Sequence, residues 1–138
     1  MTISKDIKFD CAHMLSNYEG KCANLHGHTY HGTVILEGDI NPKTGMLLDY
    51  NTIKDTIDVF DHAIIFSAIG ERNPAETDLY YWACRYGMRK VELVHGKSTA
   101  ETLARDIVDM FITIPTVKAV QIKLSETDGS WTTAEAYK

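Results

Sequence analysis

Two extended, β-forming stretches on either side of a turn-rich segment constrain this chain more than anything else in it. From Ile3 to His13, the residues Ile7, Phe9, Cys11 and His13 fall on one face of an extended strand. Residues 14–25 then gather the turn formers Ser16, Asn17, Gly20 and Asn24, and a second strand runs from His26 to Gly38 through Thr29, Tyr30, Val34, Ile35 and Leu36. The pair predicts an antiparallel hairpin, closed off by Asp39 to Gly45 with its Pro42 and Gly45. The period then changes. Ile53, Ile57, Phe60 and Ile64 recur at helical spacing behind Asp49 or Asn51 as the cap. Leu103, Ile107, Met110 and Phe111 line a second helix, which Ser98, Thr99, Ala100 and Glu101 open as a capping box and Pro115 stops. Val120, Ile122, Leu124 and Glu126 share a face of a further strand, and Asp128-Gly129 is a hairpin turn from which Trp131 to Tyr137 returns. The order ββ-α-α-ββ predicts an α+β fold, a four-stranded antiparallel sheet with two helices on one face. Ser67 to Gly96 is the least regular part, an elaborated connection with a short helix expected near Leu79 to Cys84. The other face of the sheet would stand bare, and self-association is the economical way to cover it.

Composition narrows the class. The 138 residues suit one domain, residues 1–138, that buries about two-thirds of its unfolded surface. A hydrophobic content of 44% and a net charge of −5 do not describe a disordered chain. No apolar run approaches the ~20 residues of a membrane span. Lys5 and Asp6 interrupt the first residues before a signal peptide could form, and three unevenly spaced cysteines, Cys11, Cys22 and Cys84, suit reduced thiols in a cytoplasm. The acidic balance lacks the basic face that a nucleic acid would require.

Of six histidines, four (His13, His26, His28 and His31) crowd the N-terminal hairpin. His26 and His28 are two apart on a strand and project from one face, and His13 comes opposite them once the hairpin closes. Three neutral imidazoles with a position left open make a catalytic type of zinc site, because water or a substrate oxygen can reach the metal. His31 has the other parity. Cys22 lies four residues before His26. It is either a thiolate activated by a nearby cation, serving as base or nucleophile, or a fourth ligand that would close the site. Cys11 and Cys84 suit small apolar filler.

The run Cys22-Ala23-Asn24-Leu25-His26-Gly27-His28, preceded by Phe9-x-x-x-His13, resembles the zinc and nucleophile signature of the 6-pyruvoyl-tetrahydropterin and 6-carboxy-tetrahydropterin synthase family. Thr44-Gly45-Met46 leading to Asp49, Asp61-His62, Ser98-Thr99-Ala100-Glu101 and Ser125-Glu126-Thr127 resemble further family segments in the same order, and only Ser67 to Gly96 is poorly matched. The resemblance implies the tunnelling fold, in which strands of several subunits close a barrel, commonly in hexamers built as dimers of trimers. It implies Zn2+ on His13, His26 and His28, and Cys22 as proton acceptor. It makes Asp61 with His62 a relay, and places the pterin on Glu126 and Thr127. A carboxylate accepts well from the 2-amino and N3–H edge of a pterin. Without the resemblance, Glu126 reads as an exposed strand end and Asp61-His62 as a helix terminus. The implied reaction turns 7,8-dihydroneopterin triphosphate into 6-carboxy-5,6,7,8-tetrahydropterin with loss of acetaldehyde and triphosphate, on the route to queuosine. Three residues between Cys22 and His26 resemble the carboxy branch, whereas the pyruvoyl branch keeps the side-chain carbons. The residues that would meet the triphosphate are not assignable from the resemblance, and Lys21, Arg72 and Lys97 are candidates by position.

Overall fold

A computed structural model describes all residues, 1–138. The N-terminal hairpin is formed by β1 (Thr2–His13) and β2 (His26–Gly38). They pair antiparallel along their whole length, with His13 opposite His26 and Cys11 opposite His28. β5 (Val117–Thr127) lies on the other side of β2, and β6 (Ser130–Tyr137) follows it through the Asp128-Gly129 turn. Gly32 permits the close approach of β2 and β5, since a Cβ there would stand 2.5 Å from the Lys123 carbonyl oxygen. These are the four antiparallel strands expected.

The sheet is nevertheless six-stranded, in the order β4-β3-β1-β2-β5-β6. β3 (Ala63–Phe66) pairs in parallel with the end of β1 at Cys11 and Ala12, and β4 (Lys90–Glu92) adds in parallel to β3. Ile64, expected on the first helix, therefore belongs to a strand. That helix, α1 (Tyr50–Asp58), is capped by Asp49, whose carboxylate accepts the Asn51 N–H at 2.8 Å. The connection between β3 and β4 carries a full helix, α2 (Pro74–Arg85), so there are three helices rather than two. Pro74 at its first position and the Asn73 side chain, which accepts from Glu76 N, start it well before Leu79. A short parallel strand cannot reach its neighbour through a tight turn, so β3 and β4 require a crossover of this kind.

One core results. Ile7, Phe9, Tyr30, Val34, Leu36, Ile122 and Leu124 of the sheet pack with Ile53 and Ile57 of α1 and with Leu103, Ile107 and Phe111 of α3 (Ala100–Ile112). The opposite face of β1 exposes Thr2, Ser4, Asp6, Lys8 and Asp10. No helix is long and apolar enough to cross a membrane.

α3 starts differently from the expected box. Thr99, not Ser98, is the N-cap and accepts from Thr102 N, while the Ser98 hydroxyl donates to the Met14 carbonyl at 2.8 Å. Glu101 is thereby released from a capping role.

Candidate metal centre and pterin site

The register of the hairpin assembles the candidate centre. His13 ends β1, His26 and His28 open β2, and Glu126 reaches in from β5. One ligand atom from each lies within 4.8 Å of the other three. The Nε2 atoms of His13, His26 and His28 are all buried without a hydrogen-bond partner. His28 Nε2 comes to 3.0 Å of Glu126 Oε1, an ion-pair distance without hydrogen-bond alignment. Orphaned buried nitrogens are costly, and three aimed at one point suit a cation.

The other ring nitrogens are engaged. His13 Nδ1 donates to the Ser98 carbonyl at 2.5 Å, and His26 Nδ1 donates to the Asn24 carbonyl at 2.7 Å. Both bonds place the proton on Nδ1 and leave the Nε2 lone pair for a metal. Burial also holds the His13 and His28 imidazoles below their ordinary range, which favours the neutral form that coordinates.

Glu126 sits where pairing between β5 and β6 slips, between Leu124 and Thr127. Leu124 and Ser125 are both buried and Glu126 is half-buried, on the face of Val120, Ile122 and Leu124 as its spacing predicts, where it meets His28 and Tyr30 of the neighbouring strand. Its Oε2 accepts from the Tyr30 hydroxyl at 3.3 Å. Tyr30 is buried and stacks on Phe9 with ring centres 5.2 Å apart. Burial, reinforced by the Glu126 charge, pushes its phenol far above the usual range and keeps it a donor. Parity alone could not single out Tyr30, because a strand tyrosine between apolar neighbours reads as core.

Glu126 and Thr127 border a cleft of about 420 Å³ together with Tyr18, Thr99, Glu101 and Trp131. Glu101, assigned to a cap from the sequence, thus opens into the cleft beside Glu126. Cys22 is half-buried in a short 3-10 turn, Lys21–Ala23, whose Cys22 carbonyl accepts from Leu15 N at 2.9 Å. Its sulfur is not among the four clustered ligand atoms.

Asp61 and His62 lie in the turn between α1 and β3, not at a helix end. Asp61 accepts the Asp10 N–H at 2.9 Å and the His62 Nδ1–H at 2.9 Å. The first of these, then the second, holds the Asp61 carboxyl below its ordinary range. His62 adopts φ 57°, a left-handed conformation that turns the chain sharply and leaves the imidazole exposed. It borders a second cleft of about 440 Å³ with Asp10, Gly27, His28 and Thr29. Within one chain, His62 and Glu126 therefore border different clefts, and His28 lies between them.

Two expectations are corrected. The Arg72 side chain is almost wholly buried, ion-paired with Glu92, donating to the Ser67 carbonyl at 2.8 Å and stacked on Tyr80, so it is not free for a triphosphate. Cys11 is buried as expected of filler, but Cys84 is exposed on α2.

The family model for 6-pyruvoyl tetrahydropterin synthase matches residues 2–136. The chain belongs to the 6-pyruvoyl tetrahydropterin synthase family. Within it, the chain is 34% identical over 137 residues to the 6-carboxy-5,6,7,8-tetrahydropterin synthase of Haemophilus influenzae, covering 94% of each chain. The fold recurs in an uncharacterised protein of Wolinella succinogenes, at 22% identity and TM-score 0.66 over 99% of this chain and 97% of that one. It recurs also in the Caenorhabditis elegans 6-pyruvoyl tetrahydropterin synthase, at 23% identity and TM-score 0.60 over 99% and 95%. The tunnelling fold of this synthase family is thus shared, with β3, α2 and β4 added to the expected four strands and two helices.

Proposed function

We propose that the chain is a zinc-dependent lyase that converts 7,8-dihydroneopterin triphosphate to 6-carboxy-5,6,7,8-tetrahydropterin, releasing acetaldehyde and triphosphate on the route to queuosine. The observation that carries the reading is the trio of buried, unpartnered Nε2 atoms beside Glu126. His13, His26 and His28 would hold the ion. When bound, zinc supplies Lewis acidity toward a substrate oxygen. The similarity to the Haemophilus influenzae enzyme supports the carboxy branch, as does the three-residue gap between Cys22 and His26.

Glu126, with Thr127 beside it, accepts from the 2-amino and N3–H edge of the pterin in the cleft they border. Cys22 takes a proton from the substrate side chain as its thiolate. His62, its Nδ1–H held by Asp61, presents Nε2 for proton transfer. Since His62 and Glu126 border different clefts of one chain, a second copy bringing its own His62 to this cleft would complete the site, which favours a homo-oligomer of the hexameric kind. Lys21, exposed, and Lys97, half-buried, are left to meet the triphosphate. The enzyme would work in the cytoplasm, without nucleic-acid or membrane partners.

Incubation with 7,8-dihydroneopterin triphosphate and assay for acetaldehyde tests the branch. Pterin product without acetaldehyde would assign the pyruvoyl chemistry instead. Cys22→Ala should retain zinc and lose turnover; weakened zinc binding would make Cys22 a ligand and the protein a binding module.

A further inference from the structure

The segment that fits the family pattern least, Ser67 to Gly96, contains the most deeply buried acid of the molecule. Glu76, on the first turn of α2, has no measurable exposure. It faces no cation, and both its oxygens are occupied by donors from other segments. Oε1 accepts the Ser67 N–H at 2.7 Å, and Oε2 accepts the Ser16 hydroxyl. The Ser16 oxygen in turn accepts Asn73 N–H at 2.9 Å, which ties the residues just after β1 to the start of α2.

From Ser67 the bonding continues toward the candidate centre. The Ser67 hydroxyl oxygen accepts the Ser98 N–H at 3.0 Å, and the Ser98 hydroxyl donates to the Met14 carbonyl at 2.8 Å. The Ser98 carbonyl receives the His13 Nδ1–H at 2.5 Å. Ser16, Ser67 and Ser98 are all buried. Burial keeps these donors from bulk solvent, so they are satisfied within the protein. The acid therefore grips both sides of His13: the chain that leaves it, through Ser16, and the carbonyl that orients its ring, through Ser67 and Ser98.

We propose that Glu76 is a positioning residue for the metal centre, and that the added helix α2 serves as a brace that fixes the orientation and tautomer of His13. The proposal rests on His13 being a metal ligand. A partner of a ligating imidazole sets its direction and its basicity, and loss of such a partner typically costs ~10- to 100-fold in metal affinity. Truncating Glu76 leaves Ser67 N–H and the Ser16 hydroxyl without acceptors. The Ser98 carbonyl is then no longer held against Nδ1, and His13 must be ordered by the metal itself.

The test is zinc affinity of the full chain, measured by competition with a chromophoric chelator and independent of turnover. Glu76→Ala should bind zinc ~10-fold more weakly or worse than wild type. Glu76→Gln keeps an oxygen for Ser67 N–H and can donate to Ser16, and should bind within ~3-fold of wild type. Leu36→Ala serves as the destabilising control, because Leu36 lies ten residues from His26 along β2, about 33 Å at the usual rise. It should lower thermal stability and leave zinc affinity unchanged. If Glu76→Ala does not fold, Ser67→Ala carries the test, with weakened affinity expected. Wild-type affinity in Glu76→Ala or in Ser67→Ala, or an equal loss in Leu36→Ala, overturns the brace alone. Absence of zinc binding in the wild type overturns the brace together with the reading of the site.

Discussion

Removing zinc from the loaded protein by chelation should lower its melting temperature by an amount the site geometry explains. Three buried Nε2 atoms have no protein partner, so an ion held by them would bind the folded hairpin and find no such cluster in the unfolded chain. At free zinc about 1,000 times the dissociation constant, binding to the folded state alone adds ~4.1 kcal/mol. An unfolding entropy of ~2.1 cal/mol/K per residue gives ~0.29 kcal/mol/K for 138 residues. The expected rise is then ~14 °C. Acid should erase it. Two imidazolium groups at the 4.8 Å limit of the cluster would repel by ~3.5 kcal/mol at an effective dielectric near 20. Burial further lowers the His13 and His28 pKa values. Because these folded-state values lie below the unfolded ones, the associated stability is complete above about pH 6.5 and is lost as pH falls through the folded values. Scanning calorimetry with zinc and with chelator, at neutral pH and near pH 5, is the assay. Identical midpoints with zinc and with chelator at neutral pH, or a zinc response surviving in His26→Ala, would refute the three-histidine site.

Other consequences follow from groups around the centre. Tyr30→Phe removes the donor to Glu126, a loss of about 1 kcal/mol, and should raise the substrate KM ~5-fold while zinc affinity stays at the wild-type value; an unchanged KM would show that Glu126 does not depend on the phenol. Burial, then the charges of Glu126, Asp10 and Asp61, push the Cys11 thiol up to about 12. At pH 8 iodoacetamide should therefore modify the exposed Cys84 and spare Cys11 until the protein unfolds, as mass spectrometry of the peptides would show. The same shift has a sign. Above about pH 9 the unfolded thiol loses its proton and the folded one does not, so stability should fall by ~1.4 kcal/mol per pH unit between about 9 and 12. In denaturation series Cys11→Ala should lack that component of the slope.

Much of this protein is written in local pattern. Alternation from Ile3 to His13 and a β-forming run from His26 to Gly38, on either side of a turn-rich segment, determine the β1–β2 hairpin, and with it the parity that puts His13, His26 and His28 on one face. Asp128-Gly129 determines the second hairpin in the same way. Helical periodicity behind Asp49 and before Pro115 determines α1 and α3. Side-chain direction in a strand or helix follows from spacing alone, so these features need no knowledge of the rest of the molecule.

What the tertiary structure decided are the features made by long-range pairing. β3 and β4 are four and three residues long, too short for periodicity to register, and exist because β1 offers a free edge at Cys11 and Ala12. Which groups Glu126 meets, His28 and Tyr30, is set by the register in which β5 pairs with β2. Ser98 looked like a helix cap because its neighbours are helical; a buried carbonyl and a buried serine, distant in sequence, claimed its hydroxyl and its N–H instead. Glu76 gave no signal, being a lone acid ahead of the short helix expected near Leu79 to Cys84. Its place at the centre of a buried hydrogen-bond network depends on three chain segments meeting, which no stretch of sequence contains by itself.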